Sequence, residues 1–123
     1  MAKYKVLLVD DSITSRTLVA KSLATENEIF EVCGEAENGE EAIQKYQELN
    51  PDLITMDINM HKMDGKQALV EILKINPSAV VVMLTSEGKT QALEAISLGA
   101  KDYIEKPATA DIIKQKLKSV MGV

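Results

Sequence analysis

Three aspartates, two hydroxyls and one lysine stand directly behind short apolar runs in this 123-residue chain. Asp10 and Asp11 follow Val6-Leu7-Leu8-Val9, and Asp57 follows Leu53-Ile54-Thr55-Met56. Thr85 and Ser86 follow Val80-Val81-Val82-Met83-Leu84, and Lys106-Pro107 come just after Tyr103-Ile104. Taken singly, each reads as an ordinary loop residue: Asp10 or Asp11 could cap the helix that follows, and Asp57 could open a turn. Taken together they are chemically complementary. Three crowded carboxylates repel one another and raise their own pKa values unless a cation sits among them. A hard divalent ion suits such an all-oxygen site, and Mg²⁺ in particular takes one or two carboxylates and keeps positions for water and phosphate. Lys106 adds a second positive charge.

These residues share a site only if the runs behind them lie side by side. The first, third and fourth runs are apolar at nearly every position, as in parallel strands covered on both faces. The second, Phe30-Glu31-Val32-Cys33, and the fifth, Tyr103-Ile104 between Asp102 and Glu105, carry charges and are expected at sheet edges. Helix-period segments fill the gaps. Asn38 can cap the second helix, with Glu41 at its third position and Ala42, Ile43, Tyr46 and Leu49 as its inner stripe. Asn50-Pro51 and Asn76-Pro77 each stop a helix, because a residue before proline is pushed out of the α region. Gly99 suits the left-handed residue ending the fourth helix, and Thr109 can cap the last, whose stripe is Ile113, Leu117 and Val120. Five strands alternating with five helices give an open, doubly wound α/β sheet with right-handed crossovers. Ligands of such sheets bind outside the carboxyl ends of the strands.

Composition narrows the function classes. Hydrophobic residues at 46% and charged residues at 27% describe an ordinary globule, not a disordered tail, collagen-like fibre or disulfide scaffold. A net charge of −5 with aromatics at 3% supplies neither the cationic field nor the stacking rings of a nucleic-acid binder. The apolar run in MAKYKVLLVDD is too short for a membrane span or signal core, so neither membrane nor nucleic acid is an expected partner. The single cysteine, Cys33, cannot pair internally and reads as a packing residue, which favours a reducing, cytoplasmic setting. No internal repeat, low-complexity tract or linker interrupts the pattern, and residues 1–123 read as one domain.

In order and spacing, over essentially the whole chain, these motifs resemble the response-regulator receiver domain. The residues that carry the likeness are Val9-Asp10-Asp11, Asp57, Met60 to Gly65 behind it, Thr85 and Lys106-Pro107. The nearest type is the stand-alone, CheY-like chemotaxis receiver, for which the strand order 2-1-3-4-5 of the flavodoxin-like folds is already known. The resemblance implies that Asp57 is the phosphoacceptor and becomes an aspartyl phosphate. Asp11 would bind Mg²⁺ directly, Asp10 mainly through water, and Asn59 through its backbone carbonyl, with Asp57 also at the metal. Thr85 and Lys106 would contact phosphoryl oxygens, Asn59 and Glu87 would tune hydrolysis, and the Lys106-Pro107 bond would be cis. Tyr103 would be the switch aromatic, turning into space left by Thr85 and repacking the face of the fourth helix, fifth strand and fifth helix. Phosphoryl transfer rests on positioning and charge neutralisation more than on proton chemistry, which a metal and a lysine can supply.

The same likeness implies a signalling protein, not an enzyme, with only slow self-phosphorylation and self-dephosphorylation. A histidine kinase would donate, and a downstream protein such as a flagellar motor switch would receive. Because the chain ends soon after the fifth helix, no effector domain is expected. The runner-up is a phosphorelay shuttle. A flavodoxin-like electron carrier fits poorly, since Asp10 and Asp11 would oppose a bare phosphate and few rings could stack on flavin. A small aspartyl-phosphate phosphatase would place its nucleophile on the first strand. The spacing Gly34 to Gly39 mimics a P-loop, but Glu40 and Glu41 occupy its Lys and Ser/Thr positions and would repel phosphate. Two residues depart from the receiver pattern. His61 stands where proline is usual, which implies a more mobile loop behind Asp57. Ala108 stands where a bulky apolar residue is common, which bears on partner choice.

Overall fold

The computed structural model describes residues 3–123. Five strands and five helices alternate along the chain: β1 (Tyr4–Val9), α1 (Ile13–Ala24), β2 (Phe30–Ala36), α2 (Gly39–Leu49) and β3 (Leu53–Asp57), then α3 (Gly65–Ile75), β4 (Val81–Thr85), α4 (Lys89–Leu98), β5 (Asp102–Glu105) and α5 (Ala110–Met121). The strands form one parallel sheet in the order β2-β1-β3-β4-β5, so the two charged strands lie at its edges, as their composition implies.

Period-two alternation divides the core into two layers. Val6 and Leu8 of β1 join Leu53, Val82 and Ile104 beneath α1 and α5, where Val19, Leu23, Ile113 and Leu117 close the packing. Leu7 and Val9 join Ile54, Met56, Val81 and Met83 beneath α2, α3 and α4, against Tyr46, Leu69, Ile72 and Ala95. Both faces of the central strands are therefore dry, and β3 and β4 are buried at every position. Cys33 packs partly buried against the second of these layers, and burial pushes its thiol pKa up.

The helix ends follow the sequence with two differences. Asn38 and Thr109 cap α2 and α5, accepting from Glu41 N at 2.9 Å and Ile112 N at 3.2 Å. The cap of α1 is Ser12, which accepts from Ser15 N at 3.2 Å, and not Asp10 or Asp11. The aspartates are thereby spared for the rim. Asn50 and Asn76 both precede proline, yet they end their helices differently. Asn76 is extended, whereas Asn50 is left-handed at φ 47°, a conformation that asparagine tolerates better than most residues. Gly99 closes α4 at φ 120°.

One register change marks the β2 edge. Val6 pairs with Val32 but Leu7 pairs with Gly34, so Cys33 is the extra residue of a bulge. Among the described residues, no helix is long and apolar enough to cross a membrane.

Candidate functional site

Register brings the chemistry together. Val9 pairs with Met56 and Asp57 with Leu84, so the position after Val9, Asp10, comes beside Asp57. The alternation that sends Val6, Leu8, Leu53 and Ile104 to the α1/α5 side sends Asp10, Asp57 and Lys106 to that side of the rim. Ladder-type hydrogen bonds continue past the strands: Asp10 N donates to Ala36 O at 3.0 Å, Ile58 N to Leu84 O at 2.9 Å and Lys106 N to Thr85 O at 2.7 Å. The rim is thus set by backbone, before any side chain acts.

One carboxylate oxygen each from Asp10, Asp11 and Asp57 lies within 4.8 Å of the others. Asp10 and Asp57 are buried and Asp11 is exposed. Lys106 reaches in, its Nζ 2.7 Å from Asp10 Oδ2 and 3.5 Å from Asp57 Oδ1. Asp10 is held further by Ser12 N, which donates to its Oδ1 at 2.9 Å, and by Arg16 Nη1, which donates to its backbone oxygen at 2.6 Å. The Lys106-Pro107 bond is cis.

Burial and the nearby Asp10 charge push the Asp57 pKa up to about 6, with Asp11 adding to the rise and Lys106 opposing it. One ammonium against three carboxylates leaves a deficit of positive charge, and the donors are all hard oxygens. This set fits a hard divalent cation. It also fixes a pH dependence. A carboxyl group whose pKa is higher folded than unfolded binds more protons in the native state, so its contribution to stability falls as pH rises. In the absence of divalent ions, the fold is expected to lose about 1–2 kcal/mol between pH 4 and pH 7 from Asp57, after allowance for solvent screening. Denaturant melts across that range in EDTA check this, and added Mg²⁺ should return the loss at pH 7.

The other anticipated residues lie around this cluster. Thr85 is buried at the end of β4, and its Oγ1 accepts from Glu87 N at 3.0 Å. Asn59 and Glu87 are exposed, two residues beyond Asp57 and Thr85. Tyr103 pairs with Met83 in the sheet and packs partly buried against the α2/α3/α4 layer, with Lys116 Nζ 5.9 Å from its ring centroid. Ala108 lines a cleft of about 360 Å³ between α1 and α5, beside Leu18, Ile104, Lys106 and Ile113.

Sequence reasoning missed Arg16, whose Nε also pairs with Glu35 at 2.8 Å, because an arginine in the first turn of a helix carries no signal of its own. It also missed how closely Gly65 underlies the site. A Cβ there would stand 2.2 Å from the backbone oxygen of Asp57 and 2.9 Å from Ile58 Cα. His61 lies with its Nδ1 3.6 Å from Asp11 Oδ2.

Residues 6–118 match the family described as the response regulator receiver domain. The chain belongs to that family. As a receiver, it is 44% identical over 115 residues to the chemotaxis protein CheY of Listeria monocytogenes, an overlap of 93% of this chain and 95% of that one. It is 41% identical over 120 residues to the CheY of Bacillus subtilis, covering 97% and 98% of the two chains. Among solved structures it is similar to the crystal structure of the CheX-CheY-BeF3-Mg+2 complex from Borrelia burgdorferi, with a TM-score of 0.90 and 32% identity over 96% of this chain and 89% of that one. The receiver fold, its strand order and its place among two-component signalling proteins therefore stand as the motifs implied.

Proposed function

We propose that this receiver is a single-domain response regulator that takes a phosphoryl group from a histidine kinase onto Asp57 and passes the signal to a chemotaxis target such as a flagellar motor switch protein. The observation that carries the reading is the buried Asp57 carboxylate, crowded by Asp10 and Asp11 and met by Lys106 at 3.5 Å. An Asp57 oxygen forms the new bond to phosphorus as the bond from phosphorus to the donor breaks. Asp10, Asp11, Asp57 and the Asn59 carbonyl would hold Mg²⁺, which when bound neutralises charge on the phosphoryl oxygens. Lys106 receives one phosphoryl oxygen and the Thr85 hydroxyl another. Thr85 and Tyr103 both belong to the β4–β5 strand pair, so a shift of Thr85 toward the new anion frees space beside the Tyr103 ring. Asn59 and Glu87, exposed two residues beyond Asp57 and Thr85, would tune the hydrolytic water and with it the lifetime of the phosphoryl group.

The chemotaxis assignment rests on relatives named chemotaxis protein CheY, of which this chain spans 95–98% of the length. A soluble, cytoplasmic setting agrees with the absence, among the described residues, of a helix that could cross a membrane.

Incubation with acetyl phosphate tests the reading. With Mg²⁺ the protein should gain one hydroxylamine-labile phosphoryl group, and with EDTA in its place none. Metal-independent labelling, or label on a residue other than Asp57, would overturn it.

A further inference from the structure

Arg16 stands in the first turn of α1, behind the Ser12 cap, and its side chain is only 12% exposed. Nη1 donates to Asp10 O at 2.6 Å, and Nε donates to Glu35 Oε1 at 2.8 Å. Both nitrogens belong to one rigid plane, so the guanidinium braces the end of β1 against the end of β2. Glu35 is within its reach because of the bulge. From Phe30, which packs beneath α1 and α5, strict alternation would turn Glu35 to the opposite face. The extra residue at Cys33 reverses the alternation, and Glu35 pairs with Leu8 on the α1 side of the sheet.

What Arg16 holds is a peptide and not a carboxylate. The Asp10 carbonyl oxygen, the Asp11 nitrogen and Asp11 Cα share one plane, so a grip on the oxygen fixes the backbone from which the Asp11 side chain departs. Asp10 is held at every other point as well. Its N donates to Ala36 O at 3.0 Å, and its carboxylate accepts from Ser12 N and from Lys106 Nζ at 2.9 and 2.7 Å. Asp11 is exposed, so its carboxylate is placed chiefly by its backbone.

We propose, on the reading of Asp10, Asp11 and Asp57 as the Mg²⁺ site, that Arg16 is a positioning residue: it fixes the Asp10–Asp11 peptide so that the Asp11 carboxylate meets an octahedral ion, and Glu35 orients Arg16 for that task. The mark of positioning is selectivity. Mg²⁺ demands near-ideal octahedral geometry at about 2.0–2.1 Å, whereas Ca²⁺ accepts about six to eight oxygens in flexible arrangements. A misplaced carboxylate therefore penalises Mg²⁺ more than Ca²⁺. Charge alone has the opposite sign. A guanidinium near the cluster repels any divalent cation, so its removal on that ground would tighten both ions.

Calorimetric titration of the whole chain with MgCl2 and with CaCl2 tests this, at one fixed pH and well below each variant's melting temperature. Arg16→Met should weaken Mg²⁺ binding by about tenfold or more, the range commanded by residues that hold metal ligands in place. Ca²⁺ should lose distinctly less. Arg16→Lys keeps the charge but lacks the planar fork, and it should fail in the same direction. Glu35, with its side chain half exposed, allows a variant that folds whatever becomes of Arg16. Glu35→Ala should weaken Mg²⁺ less than Arg16→Met does, and should add little when the two are combined. Mg²⁺ affinity unchanged or raised in the Arg16 variants, equal losses for both ions, or wild-type Mg²⁺ affinity in Glu35→Ala would each overturn the assignment. A wild type that binds no Mg²⁺ defeats the cation site and the role of Arg16 with it, whereas Mg²⁺ bound equally by wild type and variants defeats only the latter.

Discussion

Asp57→Asn is expected to abolish labelling by acetyl phosphate and, at the same time, to make the metal-free protein more stable at neutral pH. The amide matches the carboxylate in shape, so the rim keeps its packing, but its oxygen is neutral and a poor nucleophile. Among the described residues, no other carboxylate is equivalently placed. Asp11 is exposed, and Asp10 already accepts from Ser12 N at 2.9 Å and pairs with Lys106 at 2.7 Å. The stability gain comes from the same crowding that raises the Asp57 pKa to about 6. Above that pH the wild type carries a buried charge among like charges, and the amide removes it. A gain of roughly 1–2 kcal/mol at pH 7 is expected, vanishing below about pH 4 where both forms are neutral. Mass spectrometry for the label and urea melts at two pH values measure the pair of effects. Residual label on the variant, or a loss of stability at pH 7, would count against the proposed role. Opposite signs for function and stability are what a strained functional group produces.

Gly65→Ala should be the most disruptive single-methyl change near the site. The added Cβ meets Asp57 O at 2.2 Å, Ile58 Cα at 2.9 Å and Asp57 C at 3.0 Å, all of them backbone atoms that no rotamer change can move aside. Either α3 lifts from the end of β3 or the Asp57 peptide shifts. Overpacking of this kind costs about 1–3 kcal/mol. The functional cost is expected to exceed it, since displacing a reacting group by about 1 Å can slow chemistry about 10²-fold. Labelling rates measured well below the melting temperature separate displacement from unfolding. A variant with the wild-type melting point and rate would show that the contact is relieved elsewhere.

The sequence carries the fold and the inner site because both depend on local pattern. The dry runs ending in Asp10, Asp57 and Thr85 needed no tertiary knowledge to be read as central strands, and the charged runs declared their edge positions. What escaped depends on contacts across the chain. Helices α1 and α4 have weakly marked faces, since Ile13, Leu18, Leu93 and Leu98 are exposed although apolar. Arg16 and Glu35 meet across 19 positions, His61 meets Asp11 across a loop reversal, and Gly65 matters for what lies over it. The caps show the same limit: Asp10, Asp11 and Ser12 are all good caps by type, and the demands of the rim decide that only Ser12 acts as one.

The extra residue at Cys33 has a consequence for life at high concentration. A parallel sheet leaves two open flanks, each a row of unsatisfied amides on which a second molecule could zip. On one flank the pleat is broken mid-strand, so an incoming chain can follow it for only a few residues before the hydrogen-bond pattern falls out of step. On the other, the strand is four residues long with acids at both ends. Both flanks therefore offer a second copy of the chain little to pair with.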